Sequence, residues 1–89
     1  MKVHELKSWC DFFEPVFNGS KKFELRVNDR KFQVGDFLYL REYDDRKGKY
    51  TGRSIRKRVT YLLDGIGQGS IAPLMGLNRN FCIMSLEDE

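Results

Sequence analysis

Metal-binding residues are scarce in this chain: His4 is the only histidine, and Cys10 and Cys82 are the only cysteines. A structural zinc site takes about four ligands, mostly His and Cys. Three candidates without motif spacing argue against one, and no metal or cofactor is expected. The two cysteines lie far apart and form no CxxC pair. A run of about 18 apolar residues is also lacking, so no membrane span is expected. The opening MKVHELKSWC has no apolar stretch of the kind a signal peptide needs. A cytoplasmic location is the resulting expectation, with both cysteines reduced and serving as small packing residues. Repeats, low-complexity segments and linkers are missing as well. The 89 residues leave room for one domain, 1–89, expected to be a monomer.

What the chain does have is aromatic residues and charge. Aromatics make up 13%, seven of them Phe, which a disordered chain would not carry. Sixteen Lys and Arg against thirteen Asp and Glu leave a net charge of +3. That mean hides an asymmetry. Glu87, Asp88 and Glu89 are consecutive acids, whereas 46–58 holds seven basic residues and no acidic one. Such a segment suits an anionic partner, and equally a solvated strand and turn.

Val3 to Lys7 reads as a short strand. Ser8, with Asp11 three residues on, resembles a helix cap. Trp9, Phe12, Phe13, Val16 and Phe17 then recur at helical spacing, and Gly19 is placed to end the helix. Pro15 lacks the amide a helix interior needs, which predicts a start near Asp11 or a kink. Lys22 to Asn28 alternates, with Phe23, Leu25 and Val27 on one face and Glu24, Arg26 and Asn28 on the other. That predicts a half-buried strand with its apolar row inward. Phe37 to Tyr43 is a second alternating strand. Asp44 to Gly52 suits a hairpin connection. Arg53 to Leu63 follows as a strand with Ile55, Val59, Tyr61 and Leu63 on one face. Lys57 falls on that apolar row, which signals a bulge, an edge or a shifted register. Asp64 to Gly69 is a glycine-rich loop, suited to flexibility or to close backbone approach. Phe81 to Leu86 is apolar on both faces and reads as a buried final strand. One helix among several short strands predicts a mainly β (α+β) fold. The expected form is a small antiparallel barrel with the helix packed at one open end.

The sharpest run is Gly19-Ser20-Lys21-Lys22-Phe23-Glu24-Leu25-Arg26. Two-residue spacing on a strand puts Glu24 and Arg26 on one face, about 6.6 Å apart, with Asn28 continuing the row. They can pair with each other, or offer a carboxylate and a guanidinium to one ligand. An ordinary surface salt bridge, worth about 0–1 kcal/mol, fits the same residues.

The pattern Gly19-x-Lys21-x-x-Glu24-x-Arg26 resembles the signature of the ASCH (activating signal cointegrator homology) domain of the PUA-like superfamily. More closely, the chain is similar to short stand-alone ASCH-like proteins of bacteria and phages that have no assigned function. The similarity takes in Val3-His4-Glu5-Leu6-Lys7 at the start and runs on through Phe23-Glu24-Leu25-Arg26-x-Asn28-Asp29-Arg30, Phe32-Gln33-Val34-Gly35-Asp36, Leu40-Arg41-Glu42-Tyr43 and Tyr50-Thr51-Gly52-Arg53. It ends with Val59-Thr60-Tyr61-Leu62-Leu63. The resemblance implies a PUA-like barrel with Lys21, Glu24 and Arg26 lining a cleft against the helix. It implies RNA or a nucleotide as the ligand. Asn28, on the row of Glu24 and Arg26, Arg53, within the similar stretch, and Tyr61, an aromatic on a strand with basic neighbours, are further candidate contacts. One ASCH branch hydrolyses the acetyl amide of N4-acetylcytidine with a lysine, a threonine three residues later and a distant glutamate. Lys21 matches that lysine, but Glu24 stands where the threonine should be. A nucleophile paired with Lys21 is therefore missing, and an enzyme would have to use Lys21 and Glu24 differently. A binding module is the expectation, with an amidohydrolase and a phage protein that binds a host protein as alternatives. His4 is read as a satisfied or exposed histidine rather than a ligand contact, and Trp9 as core or cleft wall.

Overall fold

A computed structural model describes residues 1–65 and 76–89. The elements are β1 (Val3–Trp9), α1 (Cys10–Phe17), β2 (Phe23–Val27), β3 (Phe37–Asp44), β4 (Lys49–Asp64) and β5 (Phe81–Asp88). They form one curled sheet in the order β1-β3-β4-β5-β2, with α1, the one helix among the described residues, packed against β1 and β3. The fold is mainly β with one helix, as the periodicities predict. It is not wholly antiparallel, because β1 pairs with β3 in parallel.

Alternation explains most of the core. Leu6 on β1, Leu38 and Leu40 on β3, Val59 on β4, and Cys82, Met84 and Leu86 on β5 point inward and are buried. Each fully buried aliphatic side chain contributes about 1.5–3 kcal/mol. Burial pushes the Cys82 thiol up to about 11, so it packs as a neutral group. Both cysteines are free. β4 is long enough, at 16 residues, to pair with β3 along its first part and β5 along its second. A register shift between Val59 and Tyr61 reverses its inward row. Lys57 and Val59 point in before the shift and Leu62 packs on the core after it, so Tyr61 and Leu63 stand outside. The anomaly at Lys57 is thus a true inward lysine upstream of a bulge.

Four further expectations are corrected. Ser8 and Trp9 belong to β1, and the helix starts at Cys10 with no side-chain cap. The aromatic face of α1 divides: Phe13 and Val16 are buried, whereas Trp9, Phe12 and Phe17 are about half exposed. On β2 the alternation is right and the direction is reversed. Leu25 is 51% exposed, with Phe23 and Val27 close to it, while Glu24 is buried. The final strand, too, is longer than its apolar run and takes in Glu87 and Asp88, set against Arg58 and Lys57 of β4.

Of the two readings of His4, satisfied or exposed, the structure shows the first. Its Nε2 lies 2.8 Å from Asp36 Oδ2, and its ring packs edge-on against Phe32. Burial raises the Asp36 carboxyl. Hydrogen bonds from His4 and from the amides of Lys2 and Gln33 more than offset this, and its pKa is lowered. Of the glycine-rich loop, Gly67 and Gly69 lie outside the described residues. Gly65 is buried, and a Cβ there would sit 2.8 Å from Arg79 Cα. Among the described residues no helix is long and apolar enough to cross a membrane.

Candidate functional site

β1 and β2 are the two edges of the sheet, and a groove of about 700 Å³ lies between them. Ser8, Trp9 and Phe12 line one side; Leu25, Arg26 and Arg30 line the other. Edge strands present unpaired backbone groups. Two arginines reach across to those of β1. Arg26 Nη2 donates to the Lys7 carbonyl at 2.8 Å, and Arg30 Nη1 to the Glu5 carbonyl at 3.3 Å. Arg26 also donates from Nε to Glu24 Oε2 at 2.6 Å. A guanidinium has five N–H donors, so three of those of Arg26 remain for a ligand.

The buried polar atoms of this seam are incompletely paired. Glu24 Oε1, Ser8 Oγ and Asn28 Oδ1 are buried without a hydrogen-bond partner. Each such group costs about 1–3 kcal/mol, and folded proteins retain few of them. Two of the three flank Arg26: Glu24 holds its Nε, and Ser8 follows the residue whose carbonyl takes its Nη2. Ser8 and Arg26 both line the groove, whereas Glu24 lies behind Arg26 and is not part of its lining. The charges lining the groove are Lys7, Arg26 and Arg30 against Asp29, so it favours anions.

Beyond Ser8 the polar network continues inward. Glu42 stands opposite Ser8 in the β1–β3 register. Arg53 donates to both Glu42 oxygens at 2.9 Å, and Thr51 Oγ1 donates to Oε1 at 2.7 Å. The hydrogen bonds from Arg53 are the main reason the Glu42 carboxyl is held at about 2, below the ordinary 4.5. Arg53 also pairs with Glu14 of α1 at 2.9 Å and lies over the rings of Phe13 and Phe17. Its guanidinium is held above its ordinary pKa, by the Glu42 hydrogen bond first and Glu14 next.

The residues singled out in the sequence therefore separate. Glu24 and Arg26 pair with each other, as their spacing allows, but only Arg26 lines the groove. Asn28 is on the same inward row, its Oδ1 buried. Lys21 does not join them. Its Nζ sits 5.3 Å from the Phe12 ring and 5.2 Å from the Phe23 ring, and it lines a second, smaller groove. Arg53 is committed to latching the helix onto the sheet, and it lines neither groove. Tyr61 is exposed on the outer side of the bulge and also lines neither. The residues that sequence reasoning missed are Ser8 and Arg30. For Ser8 a signal was present: it follows His4 and Leu6 at two-residue spacing on the inward row of β1. Among the described residues no group of three metal-ligating side chains occurs.

The chain has recognisable relatives. An uncharacterized 12.9 kDa protein in the GpA 3′ region of Escherichia phage P2 is 38% identical to it over 63 residues. That match covers 71% of this chain and 56% of the phage protein, so the chain spans little more than half the length of this relative. The family described as Domain of unknown function (DUF3850) matches residues 3–86, groove residues included. With a match over nearly its whole length, the chain belongs to the DUF3850 family.

Proposed function

We propose that the protein binds RNA, or a nucleotide, in the groove between β1 and β2. The observation that carries this reading is Arg26, which lines the groove and is held there by Glu24 and the Lys7 carbonyl, with buried unpartnered oxygens on Glu24 and on Ser8, the neighbour of Lys7. A base edge with amino and carbonyl groups complements that set. Its amino group would donate to Glu24 Oε1 or Ser8 Oγ, and its carbonyl or a phosphate would accept from Arg26. Trp9 and Phe12, each about half exposed, offer ring faces for stacking, worth about 1–3 kcal/mol per base. The resemblance of the Gly19-to-Arg26 run to ASCH domains supports the same ligand class. Hydrolysis gains less support. The Lys21 ammonium rests between the Phe12 and Phe23 rings and lines the second groove, whereas Arg26 lines the first.

The test is a titration with single-stranded RNA across salt concentrations. Contacts to Z phosphates should give a log–log slope near −0.7Z. Arg26→Ala should weaken binding at least tenfold. Ser8→Ala should weaken it while leaving the fold as stable or more so, because it removes a buried unpaired hydroxyl. A flat salt dependence with no loss in Arg26→Ala would refute the reading. Release of acetate from N4-acetylcytidine, abolished in Lys21→Ala, would replace it with the hydrolytic one.

A further inference from the structure

A second groove, of about 310 Å³, shares no lining residue with the first. Lys21, Lys22 and Lys57 line it together with Glu87 and Asp88. Its chemistry is unlike that of an ordinary salt-bridged surface. Lys57 projects from the inward row of β4, and only 11% of its side chain is exposed. A buried ammonium needs a counter-charge. Asp88 supplies it, yet the Asp88 side chain is 88% exposed. Lys57 is thus held at a fixed place by the sheet, while its carboxylate partner stands in water and is replaceable. The Asp88 carboxyl is lowered mainly by its hydrogen bond from Lys57, with a further contribution from nearby Lys22. Lys21 makes no side-chain ion pair with the described residues, and its ammonium is held by the Phe12 and Phe23 rings. Glu87 divides its charge with Arg58, 3.8 Å away. Three ammonium groups therefore face one strongly engaged carboxylate and one shared one. The helix carbonyls nearest this groove are already satisfied: Pro15 O accepts from the Lys21 amide, and Val16 O from Gly19.

We propose that this groove is a binding site for a phosphate group, with Lys57 at its floor and Lys21 and Lys22 at its rim, and that Glu87 and Asp88 occupy it in competition with the ligand. The acidic end of β5 acts as an intramolecular stand-in for phosphate. It keeps Lys57 paired when the site is empty and lowers the apparent affinity when a ligand arrives. The site is separate from the groove between β1 and β2 and does not depend on what binds there, since a phosphate carries no base.

The test uses inorganic pyrophosphate and, in parallel, a short single-stranded oligonucleotide without a terminal phosphate. Binding is followed through backbone amide shifts of residues 19–22, 57 and 86–88. Glu87→Gln/Asp88→Asn should tighten binding of whichever probe fits by about fivefold, equivalent to about 1 kcal/mol. Asp11→Asn/Asp45→Asn changes net charge equally at a distance and should have little effect. Lys57→Met should abolish the response. Should that variant unfold, Lys21→Gln/Lys22→Gln tests the rim and should weaken binding. A response to pyrophosphate assigns a free or terminal phosphate; a response to the oligonucleotide alone assigns a phosphodiester backbone. The proposal is overturned if neither probe shifts these amides, or if the two double acidic variants gain affinity equally.

Discussion

Glu42 shows how one side chain can tie a local site to global stability. It is buried, accepts two hydrogen bonds from Arg53 and one from Thr51, and has its pKa held at about 2. A carboxyl lowered on folding contributes its full stabilisation above its unfolded value, near 4.5. That contribution is lost as pH falls from about 4.5 toward 2. Stability should therefore decline over this range in the wild type. Glu42→Gln should flatten that part of the profile and cost about 1–3 kcal/mol at neutral pH, allowing for the partial exposure of Arg53. Urea denaturation at a series of pH values reads both effects. An unchanged profile would mean that Glu42 is not ionised as a partner of Arg53. The same residue bears on how Arg53 reads in the sequence. Arg53 looked free for a ligand because Glu42 and Glu14, its partners, are 11 and 39 residues away in the chain.

At the scale of elements, β2 is where residue pattern and environment diverge. Alternation is a statement about two faces and not about which face is inside. On β3 the apolar row is the buried one, because helix and sheet cover it. β2 is an edge strand bordering a groove, so its inward row is polar and its apolar row is half exposed, with Leu25 and Val27 forming part of the groove wall. Leu25→Gln should then change stability by no more than about 0.5 kcal/mol. Leu40→Ala, at a fully buried position of β3, should cost about 2–5 kcal/mol. Guanidinium unfolding of the two variants compares them directly. A large loss in Leu25→Gln would show that the row is packed after all. The helix is a milder case. Its spacing was legible, but its start was not, because Ser8 and Trp9 suit a helix cap and a strand end equally well.

For the whole molecule, the tight point is where β4 ends and the chain returns to β5. Gly65 meets the backbone of Asn78 and Arg79 so closely that a Cβ would lie 2.9 Å from Asn78 O. Gly65→Ala should cost about 1–3 kcal/mol by overpacking, seen as a lowered melting temperature. An unaffected melting temperature would mean that the two segments can separate freely. Such an approach is invisible in sequence, since glycine there is equally at home in any loop. The sequence by itself determined the class of fold, most strand positions and the pairing of Glu24 with Arg26, because these depend on residue type and spacing within a few positions. The tertiary structure alone decided which face of β2 is inside, that Lys21 parts from Arg26, that Arg53 is a latch, and that Glu87 and Asp88 lie against Arg58 and Lys57. Those outcomes depend on which strands become sheet edges and which distant charges meet, and a one-dimensional pattern holds no information about either.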